Sequence, residues 1–371
     1  MCIYTYISII LLLIVILELT KMLPHKVALW LSALLVIFIA VFRDTSVGGD
    51  TQNYWLFFSN IENSFYGSAS HPTDGMEPGF VAIGRLFTTL SKNGYFWIGL
   101  TALLNFIPYL ILVRKNSYIT SIPFFLVMNV WGLFSIEITA LRQVYAVSFA
   151  VCAYLVYNSD IKKKKKIIAT GLLLIMSLIT HNSMLIVLPI LIACYFLKIS
   201  TKAGLIIMIA SLVIVLVVPA IFSSMFQEFY NQMRFIDAAS RMTNYYDNSS
   251  YDLDYEISIN RLGPQTLLGC LLLWLARKEN NQFRFSINCL VLGVAMYNIG
   301  AAFPMMSRTT FALTLIGSTL VTKDILQKKN RIVLITLVLL LGFFLRSSIK
   351  AFNNYEDTGG HLIPYTFIWE K

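Results

Sequence analysis

The chain has 371 residues, of which 57% are hydrophobic and 13% are charged, and its mean hydropathy is +0.70. A soluble globular domain carries about 25% charged residues, so this composition excludes an ordinary soluble domain. The formal charge of +10 does not indicate a nucleic-acid-binding protein, because the basic residues are spread over loops between apolar segments.

Apolar segments that could cross a hydrocarbon core of about 30 Å recur along the whole chain. They predict an all-α, polytopic membrane protein that forms one integral domain over residues 1–371. The twelve predicted spans cover residues 3–19, 27–42, 95–113, 119–135, 138–157, 167–180, 183–197, 203–223, 263–277, 285–303, 305–322 and 331–345. A shorter apolar segment at 79–91 predicts an interfacial or re-entrant helix.

The loops between the predicted spans form two groups that differ in charge. One group, with its adjoining helix ends, holds 18 of the 29 lysines and arginines, including the run of lysines at 162–166. The positive-inside rule makes this side cytoplasmic and places both termini on the outer side. The outer side also carries two long loops, 43–94 and 224–262, and a C-terminal tail at 346–371. Loops of this length are commonly functional or disordered.

Arginine dominates the basic residues of the outer side, which holds eight arginines and three lysines. A guanidinium binds phosphate and carboxylate groups in a bidentate manner, and an ammonium does not. The lysine-rich loops are explained by membrane topology alone, whereas the outer arginines suggest recognition of an anion. These arginines are Arg43, Arg85, Arg142, Arg234, Arg241, Arg261, Arg308 and Arg346.

The segment FRDTSVGGDTQNY follows the second predicted span at residues 42–54. Its two glycines permit a tight turn before a helix that starts near Asp50. Asp50 and Tyr54 would then share one face of that helix. Asp50 is either only a helix N-cap or a functional carboxylate. Arg43 is either a helix-end arginine that reaches the lipid headgroups or an anion-binding residue.

Two further segments place polar residues at the outer ends of predicted helices. Glu77 precedes a proline that marks a helix start, so it either stabilises that helix N-terminus or has a chemical role. Arg142 and Gln143 lie about one turn inside the fifth predicted span. An arginine there is costly unless it pairs or faces a wet cavity. Pairing with Glu137 or another acid is the structural alternative.

The remaining candidates come from a turn, a long loop and a span end. His181 lies between two short spans, where it is either structural or a base or phosphate contact. Arg241 and Tyr245 are four residues apart, and the tyrosine-rich loop around them suits sugar binding unless it is only a solvated loop. Arg308 lies near the outer end of the eleventh span.

All of these candidates fall on or near the outer face in the predicted topology, although they come from separate regions of the chain. They predict a cavity open to the outer leaflet in which arginines hold an anionic group. The five cysteines show no metal-ligand spacing, and the chain has no nucleotide-binding motif. The sequence therefore predicts no metal site and no nucleotide cofactor.

The chain resembles the EpsG-like branch of the Wzy-type polysaccharide polymerases, which includes many O-antigen polymerases. The resembling segments, in chain order, are FRDTSVGGDTQNY, EPGF, ALRQVYA, THNS and RMTNYY. The resemblance implies a metal-independent, GT-C-type glycosyltransferase at the outer face of the bacterial inner membrane. Its donor would be a growing glycan on undecaprenyl pyrophosphate, and its acceptor would be one repeat unit on the same carrier. A chain-length regulator is a further candidate partner.

Under this resemblance the candidate residues divide into three groups. The expected pyrophosphate-binding residues, in order of preference, are Arg142, Arg241, Arg43 and Arg308. The candidate bases for the attacking hydroxyl are Asp50, Glu77 and His181, of which Asp50 is favoured. The candidate substrate-binding residues are Tyr54, Gln143 and Tyr245.

Two other functions stay open on the sequence alone. A lipid-linked oligosaccharide flippase would also need intramembrane arginines, but its charges are expected at the bilayer midplane and on both sides of a gate. An O-antigen ligase would use a similar donor with a different acceptor, and the residue pattern barely separates it from a polymerase.

Overall fold

The structure is a computed structural model of the protein. It describes residues 2–61, 76–117, 119–130, 134, 138–218, 224, 228, 257–276, 281–302, 309–326, 338–346, 349 and 365–370. Over these residues the secondary structure is helical and contains no strand, which confirms the predicted all-α class. An isolated antiparallel bridge joins Arg43 to Phe367.

The helices with defined bounds alternate with short turns over most of the described chain. They are α1 (Ile3–Leu19), α2 (His25–Val41), α3 (Thr51–Asn60), α4 (Pro78–Thr88), α5 (Gly94–Asn116), α6 (Ser121–Asn129), α7 (Leu141–Tyr157), α8 (Lys163–Thr180), α9 (Met184–Phe196), α10 (Thr201–Val217), α11 (Ile259–Ala276), α12 (Asn281–Gly300) and α13 (Phe311–Leu326).

Each of the first eleven predicted spans overlaps one of these helices, and the last overlaps helical residues at 338–346. Helix α4 occupies the segment for which an interfacial or re-entrant helix is predicted. Within the described ranges, α5 alone is both long and apolar enough to cross a membrane, while other apolar helices have 10–17 residues. The predicted number of twelve spans and the GT-C-like fold therefore stay predictions.

The chain divides into two compact units. The first contains Met1–Met184 and Leu334–Lys371, and the second contains Leu185–Val333. The single integral domain predicted over 1–371 stays a prediction.

An aromatic core joins α3, α4, α5 and α7 in the first unit. The rings of Phe57 and Phe80 stack with centroids 5.4 Å apart, and those of Phe58 and Trp97 stack at 4.6 Å. All four side chains are almost fully buried. Offset aromatic pairs add about 0.5–1.5 kcal/mol each to the burial of apolar area. The core fixes the two short helices, α3 and α4, against the longer ones.

Helix α4 packs closely on α8 because its second residue is a glycine. A Cβ atom at Gly79 would lie 2.8 Å from both Cγ1 and the carbonyl oxygen of Ile179. A backbone atom cannot move aside as a flexible side-chain end can. The small residue therefore sets the distance between the start of α4 and the end of α8.

A buried carboxylate joins α1 to the start of α6. Glu18 accepts hydrogen bonds from the backbone N–H groups of Thr120 and Ser121, each at 2.9 Å. It also lies 2.8 Å from Nδ1 of His25. The first N–H groups of a helix lack intrahelical partners, and a negative charge there is favourable. Glu18 thus serves as the cap of a helix that starts about 100 residues later in the chain.

The C-terminal residues 365–370, here called the C-terminal clip, pair with the end of α2. The backbone N–H of Asp44 donates to the carbonyl of Thr366 at 2.9 Å, and that of Ile368 donates to Phe42 at 3.2 Å. The hydroxyl of Tyr365 donates to the carbonyl of Ile39 at 2.9 Å. These bonds hold the chain as it leaves α2 and enters the turn that leads to α3.

The second unit has its own buried polar contacts. Asn298 in α12 donates from Nδ2 to the hydroxyl of Ser211 at 3.0 Å and accepts a bond from Thr266 at 3.0 Å. These bonds connect α12 to α10 and α11. Asn288 in the same helix donates to the carbonyl of Cys194 at 2.8 Å, which connects α12 to α9.

We expect Gly79→Ala to lower the free energy of unfolding by about 1–3 kcal/mol, because the added methyl group meets the Ile179 backbone. Thermal unfolding of the detergent-solubilised protein measures this change. The matched control is Gly171→Ala in α8, where a Cβ has open space, and it should be neutral or slightly stabilising. Equal melting temperatures for Gly79→Ala and the wild type would refute the close approach.

Candidate active site

The site begins at the turn after α2, where the sequence predicts a helix start near Asp50. Gly48 has φ +91°, and a Cβ there would lie 2.8 Å from Cγ2 of Ile138. Glycine alone suits both the backbone conformation and the space. Asp50 occupies the N-cap position of α3 and is partly exposed, but its side chain makes no capping hydrogen bond. The predicted helix start is confirmed. The Asp50 carboxylate does not cap the helix through a hydrogen bond.

A short ion pair forms the centre of the site. Nη1 of Arg142 donates to Oε2 of Glu77 at 2.8 Å. Glu77 is the N-cap residue of α4, with its side chain only 7% exposed, whereas the Arg142 side chain is 28% exposed. Arg142 lies in the first turn of α7. A charge-assisted bond of this length fixes a guanidinium more firmly than a neutral hydrogen bond would.

The second oxygen of Glu77 faces the turn between α8 and α9. Oε1 lies 3.4 Å from Nδ1 of His181, and the backbone N–H of Asn182 donates to it at 3.5 Å. The backbone N–H of Ser183 donates to the same Nδ1 at 3.3 Å. The THNS segment therefore contacts the ion pair through one side chain and one backbone amide.

Tyr54 in α3 is the fourth residue of the cluster. Nε of Arg142 donates to the Tyr54 hydroxyl at 3.5 Å. Tyr54 is 3% exposed and its ring contacts Phe80 with centroids 5.7 Å apart. Arg142 is thus held at two nitrogens, by a carboxylate from α4 and by a phenol from α3.

Burial keeps the two titratable groups beside this ion pair neutral. It raises the pKa of Tyr54, although the Arg142 charge acts in the opposite direction. Burial also lowers the pKa of His181 to about 4, with Arg142 adding to the effect and Glu77 opposing it. At neutral pH the cluster therefore presents one guanidinium, one carboxylate, a phenol and an uncharged imidazole.

Comparison with known families identifies the chain. The family model of the EpsG family matches residues 26–367 of the 371, a region that includes every residue of this cluster. The chain belongs to the EpsG family. This confirms the resemblance seen in the sequence, and membership suggests a glycosyltransferase-like role of the polysaccharide-polymerase type. No curated protein and no solved structure matches the chain.

The structure brings together four of the residues predicted for the site of this EpsG-family chain, with a fifth on the adjoining turn. The clustered residues are Tyr54, Glu77, Arg142 and His181. Asp50 lies one helical turn before Tyr54, and its charge acts on the Tyr54 phenol. Gln143 is buried at 3% exposure next to Arg142 in the chain. Its role as a substrate-binding residue stays a prediction.

Arg43 has structural contacts in this EpsG-family chain. Its side chain is completely buried and donates to the carbonyl oxygens of Ala40 and Ile138, the latter at 3.1 Å. These contacts join the end of α2 to the segment just before α7. They support a positioning role, and the predicted pyrophosphate contact stays a prediction.

Some predicted residues lie outside the described part of the chain. They are Arg241, Tyr245, Arg308 and the alternative partner Glu137. Their predicted roles are neither supported nor opposed by the geometry above.

Sequence reasoning did not single out Asp44, which the structure buries completely. Its carboxylate accepts bonds from the backbone N–H and the hydroxyl of Ser46, at 3.1 and 2.7 Å, and from the Tyr95 hydroxyl at 2.9 Å. The Asp-x-Ser spacing is a signal for such a side-chain turn. The contact with Tyr95, 51 residues away, has no signal in the local sequence.

The depressed pKa of His181 predicts a pH-dependent stability. Between pH 6.5 and about 4 the unfolded chain binds a proton at this imidazole that the folded chain does not bind. The free energy of unfolding should therefore fall by up to about 3 kcal/mol as the pH decreases through this range. Thermal unfolding of wild type and His181→Gln at several pH values measures the difference. Identical slopes for the two proteins would contradict a neutral, buried His181.

Proposed function

We propose that this protein joins oligosaccharide repeat units carried on undecaprenyl pyrophosphate into a longer polysaccharide, either an O-antigen or an exopolysaccharide. The observation that carries the proposal is the fixed guanidinium of Arg142, held by Glu77 and Tyr54 in an EpsG-family chain. The reaction would take place at the outer face of the bacterial inner membrane, where the charge distribution of the loops puts this cluster. The lipid bilayer supplies both lipid-linked substrates.

Arg142 suits a reaction in which negative charge develops on a leaving phosphate. Glu77 and Tyr54 occupy two of its nitrogens, and the side chain is 28% exposed, so the other N–H groups are able to reach a ligand. A donor whose orientation is fixed in advance stabilises the developing charge without further reorganisation. Loss of one such donor costs about 10²–10³-fold in rate in enzymes that stabilise an oxyanion.

The proposed step is a single displacement at the anomeric carbon of the donor sugar. The acceptor hydroxyl oxygen forms a bond to that carbon, and the bond from the carbon to the pyrophosphate oxygen breaks. Undecaprenyl pyrophosphate leaves with the electron pair. The hydroxyl proton passes to a carboxylate base, and the anomeric configuration inverts.

Asp50 is the carboxylate best placed to accept that proton. Its side chain is partly exposed and makes no cap bond, whereas Glu77 is already bonded to Arg142 and to the Asn182 backbone. A base must be free to approach the hydroxyl that it deprotonates. The proposed chemistry uses the Arg142 guanidinium to stabilise the leaving group and assigns no role to a metal or a cofactor.

For an O-antigen, we expect a strain that lacks the gene to carry lipid A–core with a single repeat unit, and complementation with the wild type to restore a ladder of lengths. Arg142→Ala should fail to restore the ladder, because the leaving group loses its fixed donor. Asp50→Ala should fail as well, since the proton has no acceptor. Gel electrophoresis of the polysaccharide, with immunoblots for protein level, measures this.

The control is Arg114→Ala, which removes an exposed arginine at the end of α5 on the predicted cytoplasmic side. It should restore the full ladder.

Full-length polymer from both Arg142→Ala and Asp50→Ala at normal protein levels would overturn the site assignment. For an O-antigen, absence of even a single repeat unit in the deletion strain would instead indicate a flippase or a ligase, and accumulation of lipid-linked units on the outer leaflet would select the ligase.

Tyr54→Phe removes one support of Arg142 and keeps the aromatic packing. We expect polymer formation to be about two- to tenfold slower, because the bond from the charged Arg142 is long at 3.5 Å and should contribute only roughly 0.5–1.5 kcal/mol. Polymer formation in isolated membranes measures the rate. Tyr145→Phe is the matched control, because it removes a hydroxyl in the same core that bonds to Thr101. Equal rates for both variants would show that Tyr54 does not position Arg142.

A further inference from the structure

We infer that His181 is held with its proton on Nε2 and acts as a hydrogen-bond donor to the leaving phosphate, as a second donor beside Arg142 and not as the base. The inference rests on the proposed function, because it names the role of one residue in that site. It is carried by the contacts of the imidazole with the start of α9.

Nδ1 is the His181 nitrogen that faces the backbone of the turn before α9. The N–H of Ser183 donates to Nδ1 of His181 at 3.3 Å, immediately before α9 begins at Met184. The first N–H groups of a helix have no intrahelical acceptor and need one from elsewhere. A backbone N–H can only donate, so Nδ1 must offer a lone pair. A neutral imidazole whose Nδ1 accepts carries its proton on Nε2.

Glu77 is a competing partner of Nδ1. Its Oε1 is 3.4 Å away, which is longer than the usual 2.7–3.2 Å of an N–H···O bond. That carboxylate already receives a charge-assisted bond from Arg142 at 2.8 Å and a contact from the Asn182 N–H. It does not depend on a proton from His181. Burial lowers the pKa of His181, which keeps the imidazole uncharged with one proton only.

Nε2 is the other ring nitrogen of His181. Within the residues that the structure describes, Nε2 of His181 makes no hydrogen bond, and the side chain is 24% exposed. A protonated Nε2 cannot accept the proton of an attacking hydroxyl. It can donate to a phosphate oxygen. Glu77 contacts Nη1 of Arg142 through Oε2 and lies 3.4 Å from Nδ1 of His181 through Oε1, so the guanidinium and the imidazole flank one carboxylate. In the inferred role both bind the same pyrophosphate.

Two amide substitutions at His181 distinguish a hydrogen-bond donor from a general base at this position. Neither amide takes up a proton near neutral pH, but the longer Gln side chain places an N–H donor near the Nε2 position and the shorter Asn does not. We expect His181→Gln to form polymer within about tenfold of the wild-type rate. His181→Asn should lose about 10²-fold or more, as for removal of a transition-state donor. Isolated membranes supplied with lipid-linked repeat units provide the assay.

The outcomes distinguish this inference from the proposed function. If the wild type forms polymer while both amide variants are equally inactive, His181 is the base and the inference is wrong. Wild-type rates in both variants would also overturn the inference, because the reaction would then not need a hydrogen bond from His181 to the leaving phosphate. Failure of the wild-type protein itself to form polymer would refute the proposed function instead.

A second measurement does not depend on activity or on the folding of the two His181 variants. In His25→Gln/His71→Gln/His361→Gln, His181 is the only remaining histidine of the four in the chain. Nitrogen-15 NMR of this protein, labelled at histidine and placed in bilayers, reports which ring nitrogen carries the proton. We expect the proton on Nε2 at pH 7. A proton on Nδ1 would refute the assigned tautomer.

Discussion

The ion pair between Glu77 and Arg142 is the contact on which the rest of the candidate site depends. An arginine in the first turn of an apolar helix is costly unless its charge is compensated. Glu77 provides that compensation from the N-cap of α4, and the same carboxylate then contacts the turn after α8. One acid therefore connects three segments that lie far apart in the chain. The ion pair also has a chemical consequence, because Arg142 is fixed in place and still has N–H donors available for a ligand.

The sequence predicted the helical class and the positions of most helices, because these follow from the length and position of continuous apolar segments. It also predicted a helix start at Asp50, since two glycines before an acid form a local signal. It did not predict that Glu77 would pair with Arg142, 65 residues away. It also left open the buried state of Arg43, which depends on a contact with Phe367 near the end of the chain. Such pairings depend on which helices pack together, and local residue patterns do not contain that information.

The polar residues around the ion pair fall into two physical groups. Tyr54 and Glu77 are buried and bonded within the protein, so their main effect is on the position of Arg142. Asp50, Arg142 and His181 keep part of their surface exposed. Residues of the first kind set geometry, and those of the second kind are able to touch a substrate. The sequence treated both kinds as equal candidates, because burial is a property of the folded chain.

The C-terminal clip has a consequence for how the protein is made. The end of α2 pairs with residues that are translated roughly 320 positions later, so this pairing forms only after residues 365–370 have been made. At about 5–20 residues per second, the turn that carries Asp50 waits roughly 16–64 s for its partner. A chain that stopped before residue 365 would have every helix named here and yet lack these hydrogen bonds at the end of α2. The turn that carries Asp50 therefore gains its full support later in synthesis than the helices around it.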